Sequence, residues 1–172
     1  MNDLAAKPAV DGKKAAPRQV LTFTLGSEIF AVDLLKVKEI RDWSPVTQLP
    51  RMPAYVLGVL NLRGRIVPII DLRRRFHLAT VEFTPLTVIV VMSAATAGGR
   101  QDFGAVVDGV SDVVDVAAES LRKTPHLASK MGSEFIQGLA TVGQQMLILL
   151  DVDALLGREV VQDAAQCASS AA

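Results

Sequence analysis

Two aspartates, Asp71 and Asp151, stand 80 residues apart in the contexts IIDLR and LLDVD. Paired carboxylates can share a proton across a two-fold axis, as in an aspartic-protease dyad. Such a dyad needs glycines and hydroxyl side chains to expose and bracket the acids, and neither context supplies them. Helix N-caps explain the pair better, because each acid closes an apolar run just before a short helical stretch. His77 and His126 lack the Cys/His spacing of a zinc site, and no Ser or Cys stands in a nucleophile setting. Gly98-Gly99 has no phosphate-loop lysine beside it. No catalytic, metal or cofactor-binding residue is assigned, and no enzyme activity is expected.

Arg63, Arg65, Arg73, Arg74 and Arg75 form a basic cluster. One reading is a small β-barrel that binds single-stranded nucleic acid through these arginines. Interleaved aromatics for base stacking are absent, however, and 18 Lys+Arg balance 18 Asp+Glu. A solvated helix face with one or two partner contacts is the favoured reading. Arg63 differs from its neighbours, because a hairpin turn would project it from a rigid scaffold. A guanidinium held that way suits recognition of a carboxylate or a backbone carbonyl.

The elements that position these groups centre on GVLNLRGRIVPIIDLRRRF, from Gly58 to Phe76. Gly64 permits the positive φ of a tight turn, so two β-strands flank Arg63-Gly64-Arg65. Their successive apolar residues imply cover on both faces. The pattern returns from Gly138 to Leu156, with Gly58 and Gly138, and Asp71 and Asp151, each 80 residues apart. An upstream echo pairs FAVDLLKVKEI with FGAVVDGVSDV at a spacing of 73. Two halves in the same order predict a duplicated β unit.

Around these hairpins the chain reads as short strands with Gly/Pro turns. VLTFTLGSEIFAVD is a hairpin, LLKVKEIRDW a turn leading into a strand, and Pro45, Pro50 and Pro53 mark a loop. TVIVVM is a buried strand, SAATAGGRQD a flexible turn, and Asp108-Gly109 breaks two further strands. Glu119 to Ser133 reads as a loop with helical turns, and DVDALLG as a short helix stopped by Gly157. The predicted fold is mainly β, with two packed barrels whose closure removes exposed edges. If both halves bury one core, neither should fold alone.

The 172 residues suffice for a substantial core. Zero formal net charge offers no global field toward nucleic acid or anionic lipid. The single cysteine, Cys167, cannot form an internal disulfide and fits a reducing cytoplasm. No apolar run reaches the roughly 20 residues of a membrane helix, and the first residues lack a signal-peptide h-region. The organisation expected is a mobile N-terminal arm over 1–17, a folded domain over 18–158 made of two intertwined β-barrel halves that divide near 78–84, and a C-terminal tail over 159–172 that could be part helical.

FTLGSEIFAVDLLKVKEIR, GVLNLRGRIVPIIDLR, VVDGVSDVV and FIQGLATVGQQMLILLD strongly resemble the CheW family of bacterial chemotaxis adaptors, from about Val20 to Leu156. NLRGRIVPIIDLR is specific to this domain type. The resemblance implies two five-stranded SH3-like barrels related by pseudo-two-fold symmetry, with short helices. It also implies a non-enzymatic, cytoplasmic scaffold recruited to membrane receptor arrays without inserting into the bilayer. Its partners would be the tips of methyl-accepting chemoreceptors and the regulatory domain of the CheA histidine kinase, with self-association in the arrays allowed and no nucleic acid bound. Val37, Glu39, Gly58, Arg63, Val113 and Gly138 fall on the family's partner-binding positions. Val37 and Val113 could equally serve core packing, and the two glycines turn geometry.

Overall fold

A computed structural model describes residues 17–78, 82–96, 98–122 and 135–156. The arm expected over 1–17 lies outside them apart from Pro17, as do the 159–172 tail, His126, Gly157 and Cys167. In chain order the strands are β1 (Arg18–Leu25), β2 (Glu28–Asp33), β3 (Val37–Asp42), β4 (Val56–Leu62), β5 (Arg65–Asp71), β6 (Val88–Thr96), β7 (Gly99–Val107), β8 (Gly109–Val116), β9 (Leu121–Arg122), β10 (Ile136–Val142) and β11 (Gln145–Leu150). Single helical turns follow the two repeated hairpins, α1 (Leu72–Arg75) and α2 (Val152–Leu155). A 3-10 turn at Leu34–Lys36 joins β2 to β3, as the sequence predicts, and another at Ala118–Ser120 joins β8 to β9.

The strands make two sheets, ordered β8-β1-β2-β11-β10-β9 and β3-β6-β7-β5-β4. The mainly β, two-barrel architecture expected from the sequence is present, with the two-residue β9 as a sixth strand on the first sheet. Each sheet takes strands from both halves of the chain. The first-half hairpin β4–β5 lies parallel beside β7, with Ile69 opposite Gly104 and Ile70 opposite Ala105. The second-half hairpin β10–β11 lies parallel beside β2, with Leu149 opposite Ala31. These registers superimpose on the spacings of 80 and 73, so the duplication extends to the pairing between halves.

Burial follows the same logic. Val67, Ile69, Ile89 and Val106 fill the second barrel, while Val20, Ala31, Leu147 and Leu149 fill the first. Between them lies a larger shared core that includes Phe23, Phe30, Ile70, Phe76, Phe103, Phe135 and Leu150. Phe76 joins the halves directly, 5.6 Å from the Phe30 ring and 5.6 Å from the Phe135 ring. The apolar runs of β5 and β11 therefore serve a barrel interior on one face and the shared core on the other. Cover ends near the hairpin tips, where Ile66 and Met146 are 39% and 62% exposed.

Two local expectations change. The segment read as a flexible turn, SAATAGGRQD, is mostly hairpin: β6 runs through Thr96 and β7 begins at Gly99, with Ser93 opposite Asp102. Cross-strand register orders residues whose composition alone suggests a loop. The repeat glycines are also not turn residues. Gly58 follows a register shift in β4, and a Cβ there would run into the Thr47 carbonyl. At Gly138 a Cβ would stand 2.8 Å from the Arg122 oxygen. Each glycine admits the segment that closes its barrel, Thr47 bridging to Val59 in one and β9 pairing with β10 in the other.

Interleaving predicts that the halves are interdependent. A fragment spanning 20–78 would lose β7 from beside β5 and β11 from beside β2, exposing both cores. It should show no cooperative melt, and a fragment melting at the full chain's temperature would contradict the prediction. In the full chain, Ile69→Asp or Leu149→Asp buries an unpaired charge and should cost about 4 kcal/mol or more in denaturant unfolding.

Candidate functional site

At the tip of β4–β5, Arg63 and Gly64 have φ of 54° and 85°. Two positive-φ central residues make the two-residue turn whose twist matches the flanking strands. Asn61 Oδ1 accepts the Gly64 N–H at 2.9 Å and fixes the turn. Arg63 is thereby presented outward, its side chain 83% exposed, and its Nη1 donates to Glu39 Oε2 on β3 at 2.8 Å. Glu39 also meets Arg41 at 3.6 Å. On β5, Arg65 pairs with Asp102 of β7 at 3.3 Å. These two ion pairs rim a groove of about 280 Å³ over Leu62, Val67 and Val91, which belong to the interior of the second barrel.

Exposed ion pairs of this kind contribute only about 0–1 kcal/mol to stability. Water and side-chain entropy nearly balance their attraction, so a partner's charged or polar group can exchange with them at little cost. The groove thus combines an apolar floor with exchangeable charges of both signs, held by a closed barrel. Such a surface suits directional protein recognition.

Of the six candidate residues, Glu39 and Arg63 touch. Val37 lies two residues before Glu39 on the same strand and packs partly on the shared core. Gly58 is buried in β4 of the same sheet. Val113, on β8 opposite Leu21, is 40% exposed, and Gly138 is buried in β10. These last two belong to the other sheet, so the six do not form one contiguous patch. Asp102 completes the groove and escapes sequence reasoning, because only its register on β7 brings it to Arg65.

The arginine cluster is only partly a solvated face: Arg63, Arg65 and Arg74 are exposed, whereas Arg73 and Arg75 turn inward. Arg73 is 1% exposed; its Nε and Nη2 donate to the two oxygens of Asp71 at 3.1 and 3.3 Å, and its Nη1 donates to Asp108 at 3.1 Å. A planar guanidinium can satisfy two acids at once, which makes its burial tolerable. The Arg75 guanidinium lies 4.1 Å from the Tyr55 ring centroid and 4.5 Å from that of Phe135, a cation–π sandwich between repeat-equivalent residues. With Arg63 and Arg65 also paired to acids, the five arginines form no basic track for a phosphate backbone. Arg74, partly exposed, lines a second concavity of about 530 Å³ walled by Trp43, Met52, Leu57 and Phe83.

Both repeat aspartates cap helices, Asp71 accepting from the Arg73 N–H at 3.0 Å and Asp151 from the Asp153 N–H at 3.1 Å. Asp71 is also ion-paired through both oxygens, which leaves no role for a proton shared with Asp151. His77 is exposed, with φ of 59°. Among the described residues no group of three or more His, Cys, Asp or Glu could hold a metal ion. No helix among them is long and apolar enough to cross a membrane.

Comparison with known proteins places this geometry in context. A CheW-like domain model matches residues 19–160. The chain is 44% identical over 142 residues to a chemotaxis protein CheW of Klebsiella aerogenes, covering 83% of each. It is 35% identical over 142 residues to a chemotaxis protein CheW of Rhizobium meliloti, covering 83% of this chain and 89% of that protein. The crystal structure of the scaffolding protein TtCheW from Thermoanaerobacter tengcongensis superposes with a TM-score of 0.76 at 26% identity, over 84% of this chain and 95% of that one.

The two aspartates should respond differently to the same substitution. Asp71→Asn strips the charge from a buried pair and leaves Arg73 under-compensated, so about 3–5 kcal/mol should be lost. Asp151→Asn keeps a side-chain oxygen able to cap α2 and should cost about 1 kcal/mol or less. Denaturant midpoints of the two variants measure the difference; equal losses would remove Asp71 from its structural role.

Proposed function

The chain belongs to the CheW family of chemotaxis proteins, and from that premise we propose that it is a non-enzymatic adaptor coupling chemoreceptor tips to the CheA histidine kinase. The proposed working unit is residues 18–158, acting in the cytoplasm and recruited to membrane receptor arrays. Its proposed partner-binding positions are Val37, Glu39, Gly58, Arg63, Val113 and Gly138. The observation that carries this reading is the exposed Arg63–Glu39 pair, held at 2.8 Å on the rim of an apolar-floored groove. The turn that presents Arg63 is conformationally restricted, so little side-chain and loop entropy remains to be lost on docking.

The two barrels offer surfaces at angles set by their shared core, which supports simultaneous contact with a receptor and a kinase. An adaptor of this type raises the local concentration of one partner beside the other without making or breaking a bond. Glu39 and Arg63 would act by charge-assisted hydrogen bonding. Gly58 and Gly138 would act through backbone shape, since each admits a barrel-closing segment that any side chain would displace.

Arg63→Ala should leave the melting temperature within about two degrees, because exposed polar substitutions change stability by no more than about 0.5 kcal/mol. So should Glu39→Ala, since the half-buried acid makes only surface ion pairs worth about 0–1 kcal/mol. Affinity for receptor or kinase should fall about tenfold or more, the scale of one lost charge-assisted contact at about 1.5–3 kcal/mol. Calorimetric titration against each partner separately reads the result. Early unfolding of both variants would make the pair a structural bridge instead.

A further inference from the structure

Duplication creates a pairing ambiguity. The unit β4–β5–α1 and its copy β10–β11–α2 could each dock beside either of two equivalent receiving strands, β2 or β7. In the structure each unit crosses to the other half of the chain. Two contacts differ between the junctions, and they differ in complementary ways. At the first junction Ile69 lies opposite Gly104, where an added Cβ would stand 2.6 Å from Ile69 Cδ1 and 2.6 Å from Ile89 Cγ2 of neighbouring β6. At the second, Leu149 lies opposite Ala31, which precedes Gly104 by the repeat spacing of 73.

Charge is inverted between the same junctions. Arg73 donates to Asp108 at 3.1 Å. Its repeat partner 80 residues later is an acid, Asp153, which accepts from Lys36 Nζ at 3.2 Å. Lys36 stands one residue past the counterpart of Asp108. Asp108 further accepts the Gly26 N–H at 2.7 Å, and Asp153 accepts the Ala95 N–H at 2.7 Å. Each acid therefore ties its junction to a neighbouring strand or turn.

We infer that Ile69/Gly104 with Arg73/Asp108, and Leu149/Ala31 with Asp153/Lys36, form a matched address that sends each hairpin to the opposite half and not to its own. Exchanging the hairpins defeats both parts of it. The Ile69 δ-methyl would meet the Ala31 Cβ. Arg73 would keep its own Asp71 but lose Asp108 and face Lys36, with Asp33 nearby already paired to Arg18 at 3.1 Å. Asp153, with Asp151 beside it, would face Asp108 without a cation. The shared core carries asymmetry of its own, Phe76 answering to Leu156 across the repeat, so the address is one contribution to the selection, and the charge variants isolate it.

The test refolds the full chain from denaturant and measures the yield of native monomer, with the Ala31–Leu149 cross-strand contact followed by NMR. Asp153→Ala loses the attraction and should refold within about twofold of the parent. Asp153→Arg repels Lys36 and matches Asp108, so its yield should fall at least fivefold. Adding Lys36→Asp to that variant should restore the yield to within twofold of Asp153→Ala. In 1 M salt, where charges are screened beyond about 3 Å, Asp153→Arg should rise to the Asp153→Ala yield. For the steric part, Gly104→Ala should lower the yield in an Ile89→Val background, which relieves the second contact, and Ile69→Val should recover part of it. Equal yields for Asp153→Arg and Asp153→Ala, or no rescue by Lys36→Asp, would overturn the charge address. A loss that persists in 1 M salt would assign the effect to packing and overturn it equally. Failure of Ile69→Val to help Gly104→Ala would overturn the steric part.

Discussion

Parallel pairing of β5 with β7 and of β11 with β2 is the constraint on which the rest of the molecule depends. Each pairing joins strands from different halves of the chain. Loop closure between distant segments costs entropy before any contact compensates it. Here the compensation is the shared aromatic core, in which Phe76 stacks on Phe30 and meets Phe135 at a tilt. Because both barrels draw strands from both halves, neither can open without disturbing the other. The relative orientation of their outer surfaces is thus a property of the core.

The proposed recognition surface inherits that rigidity. Glu39 and Arg63 sit on strands at opposite edges of one sheet, β3 and β4–β5, separated by β6 and β7 from the second half. Their ion pair exists because the barrel curls far enough to bring its edges together, helped by the Thr47–Val59 bridge. The buried Asp71–Arg73–Asp108 network serves the same end from inside. It anchors α1 to β7 and to the β1–β2 turn, holding the base of the hairpin whose tip carries Arg63. A surface on a loop would move on its own timescale; one carried on paired strands moves with the barrel.

Much of this is legible in the sequence, for particular reasons. The duplicated hairpins announce themselves because Gly58 and Gly138, and Asp71 and Asp151, keep one spacing while the apolar residues between them keep their phase. Asp71 reads as a helix cap from its place at the end of an apolar run, and it is one. Its burial with Arg73 does not read at all, since the RRR run looks equally basic whichever residue turns inward. The halves read as intertwined, but which strands cross between them is hidden, because a parallel pairing across the chain leaves no local period. Asp102 looks like part of a polar turn until β6 supplies its register. The repeat glycines are conspicuous, but only the closing segments at Thr47 and Arg122 explain why they must be glycine.

An adaptor of this construction works by holding two partners at fixed positions, and its stoichiometry distinguishes that role from a catalytic one. The direct measurement is kinase activity in a reconstituted mixture of receptor and CheA as this protein is titrated in. Activity should rise while added protein connects receptors to kinase, then fall when excess protein occupies the two partners on separate copies. A flat response, or full activation by trace amounts with no decline at excess, would contradict the adaptor account.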